Sequence, residues 1–403
     1  MSGRASLAGS ARGPLAGVRD SIRLAGLGWT ASLAAERLLR LPALGWWRDW
    51  TVSRDALSAQ LGTVFQAWGM SAEDASVTVQ HVLYADLHGI DSHGSGMLLH
   101  YHRGRLDGSI VIPATVAMVR ESATTALLDG GGGLGHVPAD RATRVAIEKC
   151  RESGVAAVAV RNSGHFGAAG AYAAMVADAG FVGLATTNTQ RPAVVPTFGR
   201  DAMLGTNPIA FAAPAGRNPP FLLDMATSTA SLGKLHVARR KGRRIPRGWA
   251  LDGRGQSVRN PRIAAERRRL TPLGASAELG SHKGYGLGAM VEILSAIVPG
   301  LRPGRIFGAA DADGGVGHFF LTLDPARFRE PGAFGADLDR MIDALRETPA
   351  IDPRQSVMVA GDPERVAHTT RKESGIPLAR AVIEDLRFVA RAAGVSFVLE
   401  GDP

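Results

Sequence analysis

The chain has 403 residues, a formal net charge of +9 and one cysteine. This length predicts two lobes, because single hydrophobic cores stop growing at about 250–300 residues. The lone Cys150 excludes an intramolecular disulfide framework and favours a reducing compartment. No run approaches the ~18–20 consecutive apolar residues of a membrane span, so we expect a soluble, cytoplasmic protein without membrane association.

The positive charge is concentrated outside the expected core. Residues 1–50 contain seven arginines and three acidic residues, and so carry +4 of the +9. The other arginines are mostly scattered, with runs at Arg239–Arg244 and Arg267–Arg269 and without the interleaved aromatic residues that base stacking uses. We therefore expect no nucleic-acid partner.

Helical patterns dominate the first part of the chain. Residues 1–50 fit both an Arg-rich targeting segment and an upstream extension, and we favour an extension outside the fold. Ser53 is expected to start a helix with Leu57, Leu61 and Phe65 at helical spacing. A second helix is predicted over Ala72–His88 and a third over Met97–Leu106.

The pattern changes to α/β from residue 114 onward. Short apolar or alternating runs predict strands at Val116–Val119, Ala126–Leu128, Val155–Val160, Phe181–Thr186, Ile209–Ala212 and Phe221–Leu223. Helical spacing predicts helices at Ala139–Glu152, Ala168–Ala179, Gly284–Ile297, Gly335–Glu347 and Pro377–Ala393.

A glycine run invites a dinucleotide-binding interpretation. Gly130–Gly135 satisfies G-x-G-x-x-G between an expected strand and helix. The following strand ends in Arg161 rather than in the acidic residue that would hold a ribose, so only a 2′-phosphate would suit it. A tight turn explains four consecutive glycines equally well. A doubly wound fold is therefore the second choice.

Two histidines lie in glycine-bounded polar turns, where the backbone can approach a ligand closely. They are His93 and His165, and either could exchange a proton with a reacting carbonyl group, with Ser92 orienting His93. Lys283 is expected near the start of a helix, followed by glycines that suit close approach of a ligand. Asp224 follows an apolar strand, where it could face a ligand or cap the next helix. No metal-ligand spacing, nucleophile elbow or Walker loop is present.

Seven sequence blocks carry a resemblance to the type-2 malate/L-lactate dehydrogenase family, in the family's order and over about residues 51–395. They are Ala85–Gly94, Asn162–His165, Leu204–Phe211, Leu223–Ser228, Ile245–Asp252, His282–Leu287 and Gly375–Leu378. The resemblance implies a three-layer α/β/α domain with a mixed sheet, which is not a Rossmann fold. It also implies a helical part built from both ends of the chain, and a homodimer.

The resemblance divides the chain into an extension (1–50), an N-terminal helical part (51–120), a cofactor-binding α/β domain (121–320) and a C-terminal helical part (321–403) that packs on the N-terminal one. It implies NAD- or NADP-dependent interconversion of a 2-hydroxycarboxylate and its 2-oxo acid. Ureidoglycolate-type oxidation and reduction of a cyclic imino acid, piperideine- or pyrroline-2-carboxylate, are the alternatives within the family.

The same resemblance assigns roles to individual residues. His165 corresponds to the family's catalytic histidine, while Ser92, His93 and Asp224 correspond to a group given the proton-donor role in some members. Which histidine donates the proton stays open. Tyr101 corresponds to a tyrosine on the substrate side. The implied cofactor contacts are Asp224, Met225, Ala226, Lys283, Thr189, Gly205, Thr206 and Asn207.

Position 97 departs from the family pattern. Many members carry an arginine there, which suits bidentate binding of a substrate carboxylate, whereas this chain has Met97. The Gly96-Met97 pair resembles the hydroxycarboxylate dehydrogenase branch and predicts a substrate bulkier than lactate, because methionine packs on apolar groups. The carboxylate would then be held by Lys283, His93 or backbone groups.

Overall fold

The structure is a computed structural model and describes residues 50–240, 242–303, 306 and 315–399. The predicted extension 1–50 therefore lies, except for Trp50, outside the described residues. Within the described ranges no helix is both long enough and apolar enough to cross a membrane.

The N-terminal part is helical, as predicted. Strand β1 (Trp50–Val52) precedes α1 (Arg54–Ala67), and α2 (Ala72–Leu87) follows. The side chains of Ser53 and Ser71 accept hydrogen bonds from backbone amides one turn into each helix, which satisfies donors that the helix leaves unpaired. A 3-10 turn (Ser95–Met97) leads into α3 (Leu98–Leu106).

A seven-stranded mixed sheet forms the centre of the molecule. Its strands are β2 (Ala117–Glu121), β3 (Thr125–Asp129), β4 (Val155–Ser163), β5 (Val182–Thr187), β6 (Ile209–Ala213), β7 (Phe221–Met225) and β8 (Val316–Leu323). The spatial order is β2-β3-β4-β8-β5-β6-β7, and only the β3–β4 pair is parallel. The antiparallel β8 between β4 and β5 excludes a doubly wound sheet.

Helices cover both faces of this sheet. Helices α4 (His136–Ser153) and α5 (Ala169–Asp178) share a core with the strands, in which the alanines of both helices allow close packing. On the other face, α8 (Ser281–Glu292) continues into a π turn (Ile293–Ile297) that packs against β4, β5 and β8. The predicted three-layer α/β/α architecture is confirmed. A smaller core within residues 193–270 includes α6 (Leu232–Arg240) and α7 (Pro261–Arg267).

The C-terminal segment divides between the sheet and the helical part. Strand β8 extends across the expected boundary at residues 320–321. Helix α9 (Ala333–Arg346) packs beside the sheet, where Asp339 accepts hydrogen bonds from the backbone amides of Arg217 and Asn218. Helix α10 (Asp362–Ser374), β9 (Ile376–Leu378) and α11 (Arg380–Ala392) return to the N-terminal helices.

The last helix begins later than predicted. Residues 376–378 pair antiparallel with β1, so the chain is extended through Pro377 and α11 starts at Arg380. Ile376 and Leu378 are buried in the N-terminal core by this pairing. The apolar side chains that suggested a helix there serve a short strand.

The glycine loop between β3 and α4 uses its backbone amides within the protein. Gly130 donates to the Arg161 carbonyl and Gly132 to the Asn162 carbonyl, while Gly135 donates to the His165 carbonyl. Arg161 itself pairs with Asp129. These donors are engaged in joining β3 to β4 and to the His165 turn. The tight-turn interpretation therefore holds, and the glycine run is not a pyrophosphate cradle.

Candidate active site

The turn that carries His93 is shaped by a buried carboxylate. Asp86 lies on α2 and accepts a hydrogen bond of 2.8 Å from the backbone amide of Ser95. A Cβ at Gly94 would lie 1.8 Å from Asp86 Oδ1, so only glycine fits there. Burial raises the pKa of Asp86 to about 7. The turn therefore closes around a carboxyl group that the sequence did not single out.

The C-terminal segment holds the same turn from the other side. The Arg371 guanidinium, on α10, donates to the Asp86 carbonyl and to the Asp91 carboxylate. This contact joins residues 280 positions apart in the chain. Within the turn, Ser92 Oγ lies 2.7 Å from His93 Nδ1, as the sequence suggested.

His165 lies beside this turn and contacts a second helix. Its Nδ1 atom is 2.7 Å from the Tyr101 hydroxyl, and its ring stacks on that of His93 with centroids 5.3 Å apart. Tyr101 is buried on α3. The structure therefore brings His93, Tyr101 and His165 together, although they come from separate segments of the chain.

The hydrogen bonds of His165 define its neutral tautomer. The Gly167 backbone amide approaches Nδ1 at 3.4 Å and can only donate, so Nδ1 is an acceptor. The Tyr101 hydroxyl then donates to the same atom, and the proton of the neutral ring resides on Nε2. This arrangement leaves an N–H donor on the far side of the ring from Tyr101.

Both histidines are neutral at pH 7. Burial lowers the pKa of His93 to about 4. Burial, reinforced by neighbouring histidines, holds the pKa of His165 well below its usual range. A charged imidazolium is disfavoured in such surroundings because it would be poorly solvated.

Asp224 lies at the end of β7 and binds the start of α5. Its Oδ2 atom accepts a hydrogen bond of 2.8 Å from the Gly170 amide. A Cβ at Gly170 would lie 2.9 Å from that oxygen, which explains why a glycine follows Ala169. Burial raises the pKa of Asp224 to about 6. The alternative that Asp224 caps the helix after it in the chain is wrong, because it satisfies the N-terminus of α5 instead.

The turn at 205–208 packs between β7 and α8. The Asn207 side-chain amide donates to the Gly288 carbonyl at 2.9 Å and to Glu292 Oε2 at 2.7 Å. The Thr206 carbonyl accepts from the Thr227 amide, two residues beyond Met225 and next to Ala226. A Cβ at Gly205 would lie 2.0 Å from Thr189 Oγ1. The predicted cofactor residues of these segments therefore form one wall.

Lys283 is exposed at the third position of α8, whose N-terminus has no side-chain cap. An ammonium group at a helix N-terminus suits a phosphate, because the unpaired backbone amides and the helix dipole both favour an anion. No group of three or more potential metal ligands occurs among the residues that the structure describes.

Met97 ends the 3-10 turn after His93 and packs partly buried against the N-terminal core. In the sequence, Met97 stands midway between His93 and Tyr101, four residues from each.

A buried residue behind the histidine pair was missed by the sequence reading. His136, the first residue of α4, is fully buried, and its ring lies 6.4 Å from His165 and 5.7 Å from Tyr101 between centroids. Its place directly after the glycine run was the available signal.

Comparisons with known proteins agree with this geometry. A family model described as malate/L-lactate dehydrogenase matches residues 52–387. The chain is 39% identical to a malate dehydrogenase of Pyrococcus abyssi over 346 residues, which is 85% of this chain and 95% of that protein. It is 33% identical to hydroxycarboxylate dehydrogenase B of Escherichia coli K12 over 344 residues, with 84% and 93% covered.

A solved structure shows the same fold. Malate dehydrogenase from Pyrococcus horikoshii OT3 superposes with a TM-score of 0.79 at 33% identity, and the match covers 89% of this chain and 99% of that one. The family match spans the helical part, the sheet and both histidine turns. The chain therefore belongs to the malate/L-lactate dehydrogenase family of oxidoreductases.

Proposed function

We propose that the protein is an NAD- or NADP-dependent dehydrogenase that interconverts a 2-hydroxycarboxylate and its 2-oxo acid. The contact between Tyr101 and His165 Nδ1 carries this proposal, because it leaves the Nε2 proton of a neutral imidazole for the substrate oxygen. The dinucleotide would supply the hydride to C2 in reduction and accept it in oxidation. His165 would give the proton to the C2 oxygen in the first direction and take it back in the second.

The wall beside this pair is proposed to hold the dinucleotide. Thr189, Gly205, Thr206 and Asn207 would line it together with Asp224, Met225 and Ala226. Lys283 would bind phosphate. The pKa of Asp224, raised to about 6 by burial, suits a carboxyl that contacts a neutral amide or hydroxyl group more than one that faces a phosphate.

The substrate is proposed to carry an apolar side chain. At position 97 this chain has the polarizable thioether of methionine, where many members of the family have an arginine that suits bidentate binding. A thioether favours contact with an aryl or alkyl group. Ser92 and His93 then remain as the polar groups next to His165 that can orient the substrate carboxylate.

Enzyme assays test the function directly. Purified protein is incubated with NADH or NADPH and a panel that includes pyruvate, oxaloacetate, 2-oxoglutarate, phenylpyruvate and piperideine-2-carboxylate. Oxidation of NADH or NADPH that depends on an added 2-oxo acid supports the proposal. The cofactor that is oxidised decides between NAD and NADP. If only the cyclic imino acid is turned over, the function is imine reduction and not 2-oxo acid reduction. No turnover with any member would refute the proposal.

Two matched variants test the role of His165. We expect His165→Ala to lower kcat by about 10²–10⁴-fold while cofactor binding, followed by fluorescence, is retained. His93→Ala is expected to raise KM for the oxo acid more than it lowers kcat, because His93 orients rather than donates. The reverse pattern would transfer the proton-donor role to His93.

We also propose a homodimer. Helix α8 and the following π turn expose Met290, Ile293 and Ile297 at intervals of three and four residues, with Tyr285 and Val298 nearby. Monomeric proteins rarely expose a contiguous apolar stripe of this kind, and a second copy of the chain would cover it. A cytoplasmic location remains part of the proposal. It is supported by the single cysteine of the sequence, because a chain that can form no intramolecular disulfide fits a reducing compartment.

A further inference from the structure

Buried polar side chains follow one another behind the Tyr101–His165 pair, from His136 to His81 and Asp140. Neither ring nitrogen of His136 has a hydrogen-bond partner among the described residues, although the ring is fully buried. Buried polar atoms are nearly always paired, so two unpaired nitrogens on one ring call for an explanation. A Cβ at Gly167, in the turn of His165, would lie 3.2 Å from His136 Nε2. This nitrogen therefore faces the catalytic turn.

The row of polar side chains continues outward from His136 to the surface. The His81 ring stacks 6.4 Å from that of His136, and His81 Nε2 lies 3.2 Å from Asp140 Oδ1. The other oxygen of Asp140 accepts from Arg144 Nε at 2.6 Å. The side chains of His81 and Asp140 are nearly inaccessible, whereas 59% of the Arg144 side chain is exposed. The polar groups therefore extend from Tyr101 to solvent on the α2–α4 side.

The tautomer of His165 creates a need for such a chain. A neutral ring that gives its Nε2 proton to the substrate becomes an imidazolate unless Nδ1 gains a proton at the same time. The Tyr101 hydroxyl is the donor at Nδ1. Burial raises the pKa of Tyr101 far above its usual value, so a tyrosinate cannot persist there. Tyr101 in turn needs a proton from the protein interior.

We propose that the proton given to the substrate is replaced through Tyr101, His136 and His81 from solvent near Asp140 and Arg144, and not by direct protonation of His165. This inference rests on the proposed function. One proton passes from His165 to the substrate oxygen, one from Tyr101 to His165, one from His136 to Tyr101, one from His81 to His136 and one from solvent to His81. Each group regains its net protonation state, and all three imidazoles, His165 included, change tautomer. No electrons move along the chain.

Hydrogen bonds through internal water would complete the links at His136. Neither His136 nitrogen bonds directly to Tyr101 or His81, and unpaired ring nitrogens are the partners that buried water molecules use. Other titratable groups also face the relay. They are Asp86 near Tyr101, His318 beside His136, Tyr172 stacked on His81, and His93 and His100 near His165. None of these is bonded to Tyr101 or to His136.

The test uses the full-length protein with its best substrate from the assay panel. His136→Phe keeps a ring without nitrogen, and His136→Gln keeps a polar group that cannot change tautomer. Asp140→Asn alters the outer end without touching the core around Tyr101. Thr143→Val is the matched control, because Thr143 is fully buried on the same helix and bonds only to the Ala139 carbonyl. Cofactor titration by fluorescence and thermal melting show that each variant is folded.

We expect both His136 variants to lower kcat at pH 8 by about 10–100-fold, which is less than for the loss of a general acid itself because His136 acts only through Tyr101 and His165. The loss should shrink as the pH falls toward 5.5, because a higher proton concentration favours reprotonation of Tyr101 by a route that bypasses His136. The solvent deuterium isotope effect on kcat should exceed that of the unaltered protein, and KM should stay within about twofold. Asp140→Asn should show the same pattern in weaker form, and Thr143→Val should not.

Three outcomes would overturn the inference. One is a His136 variant with unchanged kcat, pH profile and isotope effect. Another is a loss of equal size at every pH with the unaltered isotope effect, which would mark a structural role. In both cases the active unaltered protein preserves the proposed function. An unaltered protein that reduces no 2-oxo acid would overturn the proposed function together with the relay.

Discussion

Met97 is the residue on which substrate preference is expected to depend. It stands where a cation would suit a small dicarboxylate or hydroxy acid, and it packs against the N-terminal core. We expect Met97→Arg to raise kcat/KM for oxaloacetate relative to phenylpyruvate by about 10-fold or more, since a bidentate ion pair in a partly buried site contributes about 1.5–3 kcal/mol. Steady-state kinetics with both acids measures the ratio. Met97→Leu, which keeps the apolar contact, should leave it nearly unchanged, and an equal ratio in Met97→Arg would contradict the prediction.

Asp86 predicts a pH dependence of stability. Its pKa is about 7 in the folded protein and 3.8 in an unfolded reference, so the folded state binds a proton that the unfolded state releases between these values. Its contribution to stability is therefore present below pH 4 and is lost as the pH rises through 7. Asp86→Asn removes this loss while an amide oxygen still accepts from Ser95.

Thermal melting of both proteins checks the Asp86 prediction. The Tm of Asp86→Asn minus the Tm of the unaltered protein should be larger at pH 8 than at pH 5 by at least about 2 °C. This follows because 1 kcal/mol shifts Tm by a few degrees for a domain of this size. Parallel melting curves across this range would show that Asp86 is charged in the folded state at pH 5.

The sequence allowed the side chains of the candidate site to be predicted but not their support. His93 and His165 were recognisable because glycines bound their turns, and Ser92 because it adjoins His93. Asp86 lies near the end of α2 and His136 begins α4, where a polar residue looks like part of a solvated helix end. Their importance depends on which side of the helix is covered by segments far away in the chain, such as Arg371 and Gly167.

At the scale of elements, the loop that starts α4 fixes the position of His165. Gly135 donates its backbone amide to the His165 carbonyl, and a Cβ there would lie 2.4 Å from the Gly164 carbonyl oxygen. Gly135→Ala must therefore push the two loops apart. We expect a loss of about 1–3 kcal/mol of stability, as for overpacked sites, together with a fall in kcat.

Gly62→Ala provides the matched control for this glycine prediction. Gly62 lies in the interior of α1, and a Cβ there would meet no atom within 4 Å. Alanine is the better helix former, so we expect a gain of about 0.5–1 kcal/mol. Denaturant unfolding measures both variants, and an unaltered stability of Gly135→Ala would show that the loops adjust.

Element types were predicted more securely than element partners. Six strands of the sheet were recognised from apolar runs, but β8 was missed, although it lies between β4 and β5. Its position in the middle of the sheet results from long-range pairing with β4 and β5. The periodicity of three residues is too short to distinguish strand β9 from the start of a helix.

For the whole molecule, the exposed stripe on α8 and the π turn predicts self-association. We expect the protein to elute as a dimer in size-exclusion chromatography with light scattering. Ile293→Lys should place a charge in the middle of the stripe and shift the equilibrium to monomer. Ile351→Lys alters a still more exposed apolar residue elsewhere and should leave the dimer intact. A dimer that survives Ile293→Lys at micromolar concentration would place the interface elsewhere.

The contact between Gly233 and Ser92 has a consequence for how activity arises during folding. A Cβ at Gly233, in the second position of α6, would lie 2.6 Å from the Ser92 Cβ atom, so two segments about 140 residues apart meet at the histidine turn. Arg371 reaches the same turn from still farther along the chain. Contacts of such sequence separation are costly in loop entropy and are expected to form late. The Arg371 contact spans 280 residues, more than any strand pairing of the central sheet, so a partly refolded chain is expected to possess the complete sheet before the histidine turn is held in place, and to be inert until then.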